Sequence, residues 1–233
     1  GLIPFLRKKK PKLSKKHKRL RLEFANKYKS RTVDDWKRVI WSDETKINRL
    51  GSDGRRWVWK KRGTQLNDHH ITNTVKFGGG SLMMWGCMSA EGIGYACKIE
   101  GSMDAELYTK ILGDEFLNTV DFYGFEKTDI IFQQDNDPKH TSKKAREWFI
   151  NNDIEVIDWP PQSPDLNPIE HLWVQLKRQM GDYDEPPTTM FVLWKRVEEQ
   201  WNKIPKNFCL KLIDSMPARI DAVIKAKGGH TVY

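Results

Sequence analysis

The chain has 233 residues, 38% of them hydrophobic and 30% charged, with a net charge of +9. That is enough to bury a core and too apolar for a disordered chain. The longest apolar run near the middle, Leu82–Trp85 carried on through Gly86 to Met88, is far short of the roughly 20 residues of a membrane span, and no membrane partner is expected.

The charge is concentrated at one end. Residues 7–21 hold ten basic residues and no acid: Arg7, Lys8, Lys9, Lys10, Lys12, Lys15, Lys16, Lys18, Arg19 and Arg21. Outside them 30 basic residues face 31 acidic ones, so the positive charge belongs to an N-terminal arm and not to the body. Such an arm attracts a polyanion, DNA or RNA, through phosphate contacts that read no bases. It also suits a nuclear-import signal, and a nuclear location is expected. Three cysteines, Cys87, Cys97 and Cys209, are too few for a disulfide framework and lack zinc-ligand spacing, so buried reduced thiols are expected.

Within the arm, Leu20, Leu22, Phe24 and Ala25 give a partial apolar face and predict a helix over 14–28. Residues 1–35 are assigned to the arm and 36–233 to one globular domain. A strand follows over 37–43, with Asp43 near its C-terminal end, and another over 56–61. Residues 76–98 predict two apolar strands joined by a Glu91-Gly92 turn. A helix is expected over 104–123, a short strand over 129–135 ending on Asp135, a helix over 141–151 and a strand over 154–158. After the turn WPPQSPDLNP, helices are expected over 168–180, 188–204 and 207–225. The stripe Met190, Leu193, Trp194, Val197, Trp201 and Ile204 has helical spacing and reads as core. This order predicts an α/β fold, a mixed sheet with helices on both faces.

Three acids stand out by context. Asp43 and Asp135 end strands, and Glu170 lies in the first turn of a helix. Clustered carboxylates raise one another's pKa, and a hard divalent cation relieves the conflict. Two such ions roughly 4 Å apart can activate an attacking oxygen and stabilise a leaving one at a phosphodiester. Asp137, Asp158 and Asp165 are rivals on composition alone. Glu170 has a second explanation, because Asn167-Pro168-Ile169-Glu170 reads as a capping box with Asn in place of Ser or Thr.

The segments VIWSDE (39–44), GGGSLMMWGCMS (78–89), FQQDNDPKHTS (132–142) and WPPQSPDLNPIEHLW (159–173) closely resemble the mariner-type transposases, in the branch whose third acid is Glu. The resemblance implies a ribonuclease-H-like catalytic domain over 36–233 in which Asp43, Asp135 and Glu170 bind magnesium, with manganese as substitute. It implies cut-and-paste transposition. Water attacks a transposon end, then the freed 3′-hydroxyl attacks a TA target, with no covalent enzyme intermediate. A homodimer on paired ends is expected, with a glycine-rich hairpin insert helping to hold the subunits together. Asn136 and His140, beside the second acid, are weaker candidates for phosphate contact or ligand support. Trp57, Trp59 and Trp85 can stack on bases, although core packing is the favoured role. Full-length members begin with two helix-turn-helix units. A chain starting at Gly1 with only the basic linker is expected to be a piece of such a protein. The alternatives are a domesticated DNA-binding module that no longer cuts, and a plain nuclease that cuts without joining.

Overall fold

Residues 10, 12–50 and 79–233 are described in a computed structural model. The expected strand over 56–61, with Trp57 and Trp59, and the arm residues Arg7, Lys8 and Lys9 lie outside the described residues.

The centre of the fold is β1 (Val39–Asn48), whose first residues are β-branched or aromatic and buried. It pairs antiparallel with β2 (Ser81–Ser89), which pairs antiparallel with β3 (Gly92–Ile99). On its other side it pairs parallel with β4 (Ile131–Gln133), and β4 with β5 (Glu155–Val156). The sheet order is therefore β3-β2-β1-β4-β5, mixed as expected. The turn between β2 and β3 is one residue earlier than predicted: Ser89 pairs with Gly92, leaving Ala90 and Glu91 as the loop. Gly92 at φ 137° closes it, a conformation open to glycine.

The glycine-bearing hairpin corrects an expectation. It is not an insert: β2 pairs with β1 over eight residues, from Trp41↔Met88 to Asn48↔Ser81, and the hairpin supplies two of the five strands of the central sheet. This pairing also carries β1 beyond Asp43, which sits mid-strand and not at the strand end.

Helices cover both faces, as a sheet buried on two sides requires. On one face lie α3 (Ala105–Ile111) and α4 (Leu117–Tyr123), joined by a π-helical turn over Leu112–Phe116 into one rod capped by Asp104, and α5 (Lys143–Asn151). They bury Ile40, Trp85, Phe132, Phe116 and Phe149. Trp85 is 1% exposed and is core, not a stacking platform. On the other face lie α6 (Ile169–Met180), α7 (Met190–Asn202), α8 (Lys206–Asp214) and α9 (Met216–Lys225). The predicted last helix is thus two, broken at Ser215 just before Pro217, which cannot continue a helix interior. Leu193, Val197 and Trp201 of the α7 stripe are core, while Met190 lies at the exposed margin.

The predicted arm helix is α1 (Lys15–Tyr28), with Ser14 as its N-cap. It does not stand apart from the domain. Phe24, Ala25 and Tyr28 belong to the same core as Trp41 and α6–α9, and Phe24 meets Trp159 edge-on at 5.2 Å. A short α2 (Val33–Lys37) follows, burying Trp36. The division at residue 35 therefore coincides with no break in packing.

Candidate active site

The parallel ladder between β1 and β4 stops at Trp41↔Gln133. Two residues further on each chain are Asp43 and Asp135, so the same register sends both acids out at one level of the sheet. Residues alternate faces along a strand. Val39 and Trp41 join the α6–α9 core and Ile40 joins the α3–α5 core, so Asp43 faces α6 and Glu44 faces α3–α5. On α6, Trp173 donates its indole N–H to Asp43 Oδ2 at 3.3 Å. Glycine permits this approach: Gly86 is the cross-strand partner of Asp43, and a Cβ there would meet the Trp173 ring at 3.0 Å and Trp201 at 3.2 Å. The two indoles stack with centroids 5.3 Å apart. Glu170 lies three residues before Trp173, on the adjoining turn of α6.

Ser42 joins the three acid-bearing segments. Its hydroxyl donates to the Gln133 carbonyl at 2.7 Å, its N–H donates to Gln133 Oε1 at 3.3 Å, and its carbonyl accepts from Asn167 Nδ2 at 3.2 Å. Asn167 Oδ1 accepts from the Ile169 N–H at 3.3 Å. This corrects the expected capping box. The Asn167 side chain spans from α6 to β1 instead of reaching the Glu170 N–H, and no side-chain bond from Glu170 closes the helix end. Glu170 is left half-buried with a carboxylate that serves no cap.

The electrostatics follow from this crowding. Burial first, then the charges of Glu170, Glu44 and Asp135, push the Asp43 carboxyl well above its usual range against a backbone hydrogen bond from Glu44. Glu170 is also raised by burial, with Lys177 opposing. Asp135 goes the other way. Burial acts to raise it, but hydrogen bonds from His140 and the Asp137 N–H, with the charges of His140 and Lys139, hold it below the ordinary value. The buried His140 ring lies between two carboxylates: Nδ1 is 2.6 Å from Asp135 Oδ1 and Nε2 is 3.0 Å from Glu44 Oε1. Burial alone would lower His140, but these bonds and charges raise it to about 9. His140 is therefore not placed to touch phosphate. Among the described residues no three acidic, His or Cys side chains close around a point as a finished metal cage.

The rival acids are engaged elsewhere. Asp137 pairs with Lys139 at 2.7 Å, and the exposed Asp158 pairs with Lys27 at 3.4 Å. Asp165 takes both guanidinium nitrogens of Arg21 at 2.7 Å, with side chains 8% and 1% exposed. Arg21 also donates to the carbonyls of Gln162, Gly228 and Gly229. It was expected to contact DNA and is instead an internal clasp between α1, the proline-rich turn and the end of α9. Nothing in its spacing within a basic run distinguishes it; the apolar face at Phe24 and Ala25 was the available signal. Asn136, the other weak candidate, donates to the Trp159 carbonyl at 2.7 Å and so ties the Asp135 loop to the turn before α6. Lys10 binds the Thr231 and Tyr233 carbonyls, and Arg19 pairs with Glu23 at 3.5 Å. Lys12, Lys15, Lys16, Lys18 and Arg19 are exposed. Glu44 and Tyr108, whose hydroxyl donates to Gln134 Oε1 at 2.5 Å beside the His140 ring, were missed. Adjacency to Asp43 was the sole hint for Glu44, and Tyr108 carried none.

Comparison with known proteins agrees with this architecture. Residues 38–188 match the DDE superfamily endonuclease family. The Transposable element Tc1 transposase of Caenorhabditis elegans is 41% identical over 227 residues, covering 97% of this chain and 81% of the relative. The Tcb1 transposase of Caenorhabditis briggsae is 39% identical over the same shares. Among solved structures, a Mos1 transposase paired-end complex with left transposon end superposes with a TM-score of 0.83 at 19% identity, over 99% of this chain and 68% of that one. The Mos1 catalytic domain with Raltegravir and Mg gives 0.72 at 17%, over 94% and 99%. The fold is the ribonuclease-H-like one. The chain belongs to the DDE superfamily of endonucleases and, within it, is the catalytic domain of a Tc/mariner transposase.

Proposed function

We propose that Asp43, Asp135 and Glu170 carry the chemistry of this transposase domain: metal-dependent cleavage at transposon ends and transfer of the freed 3′ end into TA target DNA. The observation that carries this is the gathering of acids around Asp43, whose carboxyl is raised by burial and by the charges of Glu170, Glu44 and Asp135. An all-oxygen, mutually repelling donor set fits a hard divalent cation. Mos1 structures carrying Mg or Mn support the same choice. A cation held there would polarise the scissile phosphate and lower the pKa of an attacking water or hydroxyl. The protein's own part is positional. Ser42 holds the β1, β4 and α6 segments in one frame, and Trp173 orients Asp43. Mos1 paired-end complexes support transposon DNA ends as the partner, and a homodimer on paired ends is the assembly this reading takes. The exposed arm residues suit phosphate contact and nuclear import.

The deciding experiment is a strand-transfer assay with a precut end, Mg2+ or Mn2+ and a TA-containing target. Joined product is expected. DNA that is bound but never joined, in either metal, would leave the non-cutting module. Glu170→Gln is expected to melt within a few degrees of wild type in metal-free buffer, since the side chain makes no cap, and to lose cleavage. Early melting with cleavage intact would remove Glu170 from the site. For the arm, replacing Lys15, Lys16, Lys18 and Arg19 with Gln is expected to weaken binding to all DNA sequences alike. A titration of log Kd against log salt should be shallower by about 3–4, since each phosphate contact adds about 0.9 to the slope. An unchanged slope would leave these side chains out of the interface.

A further inference from the structure

The Asp135 side chain is held from the far face of the sheet. β4 ends at Gln133, so no ladder bond ties Asp135 to β1. The connection that replaces it is a side-chain chain: Glu44 Oε1 accepts from His140 Nε2 at 3.0 Å, and His140 Nδ1 donates to Asp135 Oδ1 at 2.6 Å. The chain is sheltered, with side-chain exposure of 13% at Glu44 and 4% at His140. Two further bonds fix the ring. Tyr108 lies 4.2 Å from it and donates to Gln134 Oε1, while Gln134 Nε2 donates to the His140 carbonyl at 3.0 Å. The Asp137 N–H also ends on Asp135 Oδ1, at 2.9 Å. Both bonds therefore converge on one oxygen and leave Oδ2 as the oxygen for another partner.

We propose that Glu44 is a positioning residue for the transposition reaction, acting through His140 to fix which oxygen of Asp135 is presented to the shared carboxylate site. The inference rests on the assignment of Asp135 as a ligand. It explains why an acid directly follows Asp43 on the same strand. The two side chains point to opposite faces, so one backbone segment supplies a ligand directly and orients a second from behind. An outer partner of this kind is worth about 10–100-fold in metal affinity or activity.

The test uses the whole chain, a pre-assembled DNA end and Mn2+. Glu44→Ala is expected to weaken Mn2+ binding, read by electron paramagnetic resonance, by about 10–100-fold. It should slow single-turnover cleavage at saturating DNA by a similar factor, with the Kd for DNA unchanged. Glu44→Gln, which keeps an acceptor for His140 Nε2, is expected to recover most of both. Glu44→Met fills the space without an acceptor and carries the same expectation as Ala should the smaller side chain melt early. Wild-type Mn2+ binding and cleavage in a folded Ala or Met variant would overturn the proposal, as would a Gln variant no better than Ala. Asp135→Asn is the control. If it also binds Mn2+ as wild type does, the assignment of Asp135 has failed; if it loses Mn2+ while Glu44→Ala does not, the positioning role alone has failed.

Discussion

Asp43→Asn and Asp135→Asn are each expected to leave a folded, DNA-binding protein whose cleavage and joining fall by at least about 10²-fold, beyond what loss of an outer partner produces. An amide keeps the shape of the carboxylate but offers a cation a neutral oxygen. The two variants should differ in metal-free stability, because their environments differ in sign. The Asp43 carboxyl is raised by burial and by its acidic neighbours, so its ionised form opposes folding. That cost is absent below the ordinary carboxyl range and grows as pH rises above it. Asn removes the cost, so Asp43→Asn should melt no lower than wild type at neutral pH, and added Mg2+ should stabilise wild type but not the variant. Asp135 is held below its usual range by His140, so its ionised form is stabilising, and Asp135→Asn should melt somewhat lower. Magnesium-dependent cleavage surviving in a folded Asn variant would remove that acid from the chemistry.

Arg21→Leu is expected to destabilise the fold by about 3–5 kcal/mol, since it strands the buried Asp165 charge. For a chain of this size that lowers the melting temperature by about 6–20 °C. Adding Asp165→Leu should restore only part, because the Gln162, Gly228 and Gly229 carbonyls that Arg21 serves stay unpaired. The pair also sets an acid limit. Burial acts to raise the Asp165 carboxyl, but hydrogen bonds from and the charge of Arg21, together with Thr231, hold it below the ordinary value. A depressed carboxyl contributes stability that is fully present above its unfolded pKa, about 3.9, and is lost as pH falls through the folded value. Wild type should therefore lose more stability than the double variant below about pH 4. Unchanged melting in Arg21→Leu, with weakened DNA binding, would return this arginine to the DNA-contacting arm.

The amino-acid sequence by itself determined the order and type of most elements, because hydrophobic period and cap residues are local. Ser14 before α1 and Asp104 before the α3–α4 rod act on neighbours within one turn. It also placed Asp43 and Asp135 on strands, while the parallel pairing of those two strands, whose register brings the acids to one level, came from the tertiary structure. Long-range partners were decided by the tertiary structure. Within the run of ten basic residues, the apolar face at Phe24 and Ala25 hints that Arg21 turns inward, but nothing local names Asp165 as its partner, an acid 144 positions away. The Asn167-Pro168-Ile169-Glu170 pattern fits a capping box until the Ser42 carbonyl, from another strand, takes the Asn167 amide. Glu44 and His140 are likewise 96 residues apart, and only the closing of β1 against β4 brings imidazole and carboxylate within hydrogen-bonding distance.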